Sequence, residues 1–145
     1  ATGARIVITG RVADASLTVA PLVHEFGWSF SDLPKIATAT VAGHLIECGA
    51  QVTGGYATDW EKSHLVDVGY PIVEVNEAGE TIITEPPGTG GCVNFRTVAE
   101  QLVYEIGDPR HYLTPDIDCD FTTVTLEDLG NDRVKVSGDQ GGSTG

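Results

Sequence analysis

The chain has no methionine, and only 8 lysines and arginines against 21 aspartates and glutamates. Lacking an initiator residue, it reads as an excised or processed piece of something longer. A net charge of −13 leaves no clustered basic surface to grip a phosphate backbone, which excludes a nucleic-acid partner. No stretch approaches the roughly 18 to 20 apolar residues that a membrane helix needs, and no signal-peptide pattern is present. A membrane partner is therefore not expected. The three cysteines, Cys48, Cys92 and Cys119, are odd in number and form no CxxC pair. That excludes a disulfide framework and fits a reducing cytoplasm.

What remains is the composition of one ordinary globular domain. With 145 residues, 41% hydrophobic and 20% charged, the chain can bury a single core. Residues 1–138 are expected to form one α/β domain, and the glycine-rich residues 139–145 a flexible tail. The β-branched run Ala4 to Thr9 reads as a buried strand. Apolar residues near helical spacing predict a helix over Leu17 to Phe26. A second helix is expected from about Pro34 to Cys48, with Ser31-Asp32 before it and Gly49 as its stop. Residues 51 to 70 have no clear period and read as a long loop with a helical turn. Pro71 to Val75 and Thr81 to Thr84 flank Asn76-Glu77-Ala78-Gly79-Glu80 as a hairpin. A helix follows from about Phe95 to Ile106. A second hairpin spans Phe121 to Leu126 and Arg133 to Ser137. The fold class is α/β: a mixed sheet with two to four packed helices and two antiparallel hairpins.

Polar, glycine-rich signatures interrupt these elements. Gly10 and Arg11 fall at the carboxyl end of the expected first strand, where open α/β sheets bind ligands. Arg11 offers a planar charged fork for a carboxylate or phosphate, and Asp14 can orient it. An Arg–Asp pair that merely ties down a turn is the alternative. On the second helix, His44, Glu47 and Cys48 share one face through i, i+3 and i, i+4 spacing. His44 could then act as a general base oriented by Glu47. If so, His44→Ala should abolish turnover and leave the fold intact. A structural hydrogen-bonded pair is the competing reading. The second histidine of the HExxH zinc motif is missing, and no metal is assigned. Cys48 reads as a small buried apolar residue. Gly88-Thr89-Gly90-Gly91 ahead of a helix could form a nest of N–H groups for an anion, with Thr89, Gly90 and Gly91 as ligand contacts. Gly54 and Gly55, beside Thr53 and Tyr56, could line a pocket. Asp116, Asp118 and Asp120 alternate as a solvated strand face does, so no calcium is expected.

Read in order, ITGRVADASL, HEFGW, AGHLIECGAQVTGG, YPIVEV, PPGTGG and EQLVYEIGDPRHYLTPD resemble the acyclic terpene utilisation A, or AtuA-like, proteins. The resemblance runs from about Ala4 to Gly138. It implies an interior segment of a longer protein, since full-length members are several times longer. It also implies a cytoplasmic, catabolic setting, in which acyclic terpenoids such as citronellol and geraniol are degraded as coenzyme A thioesters. No reaction and no cofactor come with it. The motif positions it carries across include Gly10, Arg11, Asp14, His44, Glu47, Gly54, Gly55, Thr89, Gly90 and Gly91.

Two functions are consistent with these residues. One is an enzyme domain acting on a small-molecule carboxylate or acyl thioester. The other is a non-catalytic binding or scaffolding subunit of a catabolic complex. A homo-oligomer is also expected, because a segment of a larger protein can expose an apolar face.

Overall fold

In a computed structural model, which describes residues 3–144, three α-helices and seven strands form a mixed α/β fold. The helices are α1 (Ser16–Phe26), α2 (Leu33–Glu47) and α3 (Phe95–Leu102). The strands are β1 (Ile72–Val75), β2 (Thr81–Thr84), β3 (Tyr112–Leu113), β4 (Asp118–Asp120), β5 (Thr125–Asp128), β6 (Val134–Ser137) and β7 (Gln140–Gly142). They make two antiparallel sheets, ordered β1-β2-β6-β5 and β3-β4-β7. No helix among the described residues is long and apolar enough to cross a membrane.

Local chemistry accounts for the helix boundaries. α1 ends at Gly27, which takes the left-handed conformation that closes a helix cheaply. Pro34 lies in the first turn of α2, where its missing N–H is no loss. Asn94 caps α3 in a reciprocal box: its side chain accepts from the N–H groups of Arg96 and Thr97, and Thr97 Oγ1 accepts from Asn94 N. α3 stops at Leu102, short of the expected Ile106, and Glu105 beyond it adopts a positive φ.

The core lies where α2 meets both sheets and both other helices. α2 is buried on all sides rather than along one stripe, with Ile36, Ala39, Val41, Ala42, His44 and Leu45 at 1% exposure or less. Cross-strand pairing sets Ile83 against Val73 and Val134, and Val136 against Thr81 and Leu126. These residues alternate with Glu74, Ile82, Lys135 and Glu127, as a half-buried sheet requires.

Three segments differ from the sequence reading. Ala4 to Thr9 forms no strand; residues 3 to 12 are exposed, with Ile8 at 91%. A β-branched run forms a strand only where another edge accepts its backbone bonds, and none of the described strands pairs with this run. The second hairpin begins at Thr125, because Phe121–Thr123 turns as a 3-10 helix bound to the Asp120 side chain. Within the expected flexible tail, Gln140–Gly142 pairs with β4 as β7. Gly145 lies outside the described residues.

Candidate functional site

The sequence-predicted residues gather in two groups. In the first, Gly43 brings α1 and α2 together: a Cβ there would stand 2.8 Å from the Ala15 Cα. That close approach sets the segment before α1 against the last turns of α2. Arg11 Nε donates to Asp14 Oδ1 at 2.9 Å, and both groups are substantially exposed. The guanidinium also feels Glu105 and Glu47, and these carboxylates hold its pKa above the ordinary value, Asp14 most strongly. Gly10 precedes it in the exposed segment.

Behind this pair His44 is enclosed, at 1% exposure. Its ring lies edge-on to Tyr112 and Phe121, 5.1 and 5.2 Å between centroids. Nε2 is 3.0 Å from the Gln101 carbonyl, and Gln101 Nε2 donates back to the His44 carbonyl at 2.8 Å. Nδ1 stands 3.2 Å from Glu47 Oε1, a pairing distance without hydrogen-bond alignment. The expected His44–Glu47 juxtaposition is present within α2, while the same His44 ring ties α2 to α3 through Gln101. Removing the ring would open the core, so His44→Ala cannot be expected to leave the fold intact. Burial also raises the Cys48 thiol and pushes Cys119 up to about 12, which makes both poor nucleophiles.

The second group is where two loops interlock. Gly54 packs against Ser63 and the Cys92 carbonyl, and Gly55 against Ala50. Gly90 N donates to the Asp67 carbonyl, and His64 N donates to the Gly90 carbonyl. Thr89 N turns back to Pro86, and Cys92 N to Thr53. Within the expected nest, the N–H groups of Thr89 and Gly90 are therefore bound to the protein's own carbonyls. The N-terminus of α3 is complemented as well: Phe95 N donates to Asp128 Oδ2 and Val93 N to Asp132 Oδ1. Two protein carboxylates thus complement the positive end of the helix. Between the groups, the Tyr56 hydroxyl, next to Gly55, donates to the Cys48 carbonyl.

Beside this loop lies a residue the sequence reading missed. Glu85 directly follows β2, is 9% exposed, and has an Oε2 with no hydrogen-bond partner. It lines a cleft of about 330 Å³ together with Thr89, Asp132, Arg133 and Glu74. Burial, reinforced by the Asp132 charge, pushes its carboxyl up to about 7, against a smaller lowering by the Thr89 hydroxyl. Arg133 is engaged by Glu74 through two bonds, of 3.2 and 2.6 Å. The turn opposite holds Gly130, Asn131 and Asp132 all at positive φ, an uncommon conformation for the two non-glycine residues. Nothing periodic or motif-like marks Glu85 in the sequence. A lone glutamate before Pro86-Pro87 carries no signal until the strand delivers it into the cleft.

Among the described residues no group of three or more His, Cys, Asp or Glu is arranged to hold a metal ion. The family model described as "Acyclic terpene utilisation family protein AtuA" matches residues 1–144. No curated protein and no solved structure matched the chain.

Proposed function

Since the chain belongs to the acyclic terpene utilisation family AtuA, we propose that it serves the breakdown of acyclic terpenoids or related carboxylic acids as coenzyme A thioesters. In this reading it works in the cytoplasm and binds a carboxylate or thioester at its glycine-rich loops. The observation that carries the proposal is the Glu85 carboxyl, buried against Gly91, lining an open cleft with Thr89, and pushed up to about 7 by that burial. A neutral carboxyl donates a hydrogen bond to a thioester carbonyl, or shares its proton with a ligand carboxylate. Arg11, steadied by Asp14, supplies a separate cationic handle. Glu47, at 11% exposure, is the more exposed member of its pair with His44.

A non-catalytic binding or scaffolding role is favoured by a different observation. Ile6, Val7, Ile8, Val12 and Leu17 are all more than 70% exposed, a run of apolar surface suited to a partner chain or a second copy.

Thermal stabilisation of the protein by short carboxylates and acyl-coenzyme A thioesters tests the proposal, with mass spectrometry of each ligand afterwards. A stabilising ligand that emerges altered makes the protein an enzyme. One recovered intact makes it a binding subunit. Equal stabilisation of wild type and Glu85→Gln removes Glu85 from the site.

A further inference from the structure

A groove of about 450 Å³ lies away from Glu85, between the 51–60 loop and the end of α3. Three aromatic side chains stand at its surface: Tyr56, Trp60 and Tyr104 are 56%, 48% and 40% exposed. Two carboxylates, Glu100 and Glu105, complete the wall. Glu100 is partly used, accepting from Thr58 N at 2.8 Å. Gln51 lines the same groove at 5% exposure, and its Oε1 is buried with no hydrogen-bond partner. Leaving such an acceptor unmade is costly, so an unpaired one beside a groove points to a donor that is not part of the chain.

These features together favour a positive charge. The aromatic faces are negative, the carboxylates are negative, and the orphan group is an acceptor. Arg11 is a cation whose field reaches Glu105, and it is held by Asp14. Lys62 and Arg96, the other basic residues near Trp60, are both bound to Asp59. The chain as a whole carries a charge of −13, which concentrates cations at its surface.

We propose that this groove binds an organic cation, an ammonium or guanidinium on a short apolar stem. The stem lies against Tyr56, Trp60 and Tyr104. The charged head meets Glu105 and donates to Gln51 Oε1. The site goes beyond the carboxylate or thioester reading, uses none of Glu85, Arg11 and Glu47, and stands whether or not that reading holds.

Calorimetric titration with n-butylammonium, n-butylguanidinium, tetramethylammonium and n-butanol, at low salt, tests it. The two N–H cations bind saturably and shift the Trp60 emission, and Trp60→Phe abolishes the shift. Tetramethylammonium, which has no N–H to give, binds more weakly, and n-butanol does not saturate. Glu105→Gln, with its melting temperature checked against wild type, weakens the N–H cations about tenfold. Three results would overturn the proposal: n-butanol binding as well as n-butylammonium, Glu105→Gln binding unchanged, or no saturation by about 50 mM, beyond which a specific contact has no meaning.

Discussion

Glu85 and Gly91 share one space: a Cβ on residue 91 would stand 2.6 Å from Glu85 Cδ and closer still to Oε2. The carboxyl keeps its buried position because residue 91 has no side chain.

Gly91→Ala therefore displaces the Glu85 carboxyl rather than the backbone, since Oε2 is the far end of a flexible side chain. Once moved toward water, the carboxyl loses its burial, and its pKa falls from about 7 toward the ordinary 4.5. A carboxyl-carbon NMR titration of Glu85 in the two proteins measures this directly. An unmoved midpoint would mean that the cleft, not the Gly91 gap, sets it.

Glu85 also gives the protein a pH-dependent stability of definite sign. Its folded pKa lies above its ordinary value, so the folded state holds the proton more tightly. The stability this supplies is intact below about pH 4.5 and declines as pH rises to about 7. Glu85→Gln removes that decline and should gain on the order of 2 kcal/mol over wild type at pH 8. Urea melts at pH 4.5, 6 and 8 compare the two slopes. Parallel curves would refute the assignment.

His44→Ala should cost about 3 kcal/mol, because it empties a fully buried site and removes the ring contact with the Gln101 carbonyl. Gln101→Leu removes the reciprocal bond, and the two changes should be less than additive in a double-mutant cycle. Additive losses would show that the two residues act independently.

Asn94→Ala removes both N–H contacts of the α3 cap and should cost about 1 kcal/mol. Asn94→Ser should restore most of it. By contrast, Ile8→Ser changes a residue 91% exposed and should alter monomer stability by less than about 0.5 kcal/mol. Chemical denaturation of the three variants distinguishes a cap that matters from an apolar residue that touches nothing.

The sequence alone determined much of the local structure. α1, α2 and the β1-β2 hairpin were legible because each has its own signals: apolar residues near helical spacing over Leu17 to Phe26, Pro34 as a start, and Asn76 to Glu80 as a turn. The Arg11–Asp14 and His44–Glu47 pairs were legible too, since three residues on a helix or turn put side chains side by side whatever the rest does. Tertiary structure decided what those pairs face. His44 became a core residue because α3 and β3 closed over it, which no spacing on α2 encodes. Ala4 to Thr9 had strand chemistry and formed no strand, because pairing depends on a neighbour and not on propensity. Gly90 N and Cys92 N found their acceptors, Asp67 and Thr53, far away in sequence. Glu85, silent in the sequence, took on its character from burial, from Asp132 and from the gap at Gly91. Local pattern fixes what a side chain can do; only packing sets its solvent, its charge neighbours and therefore its chemistry.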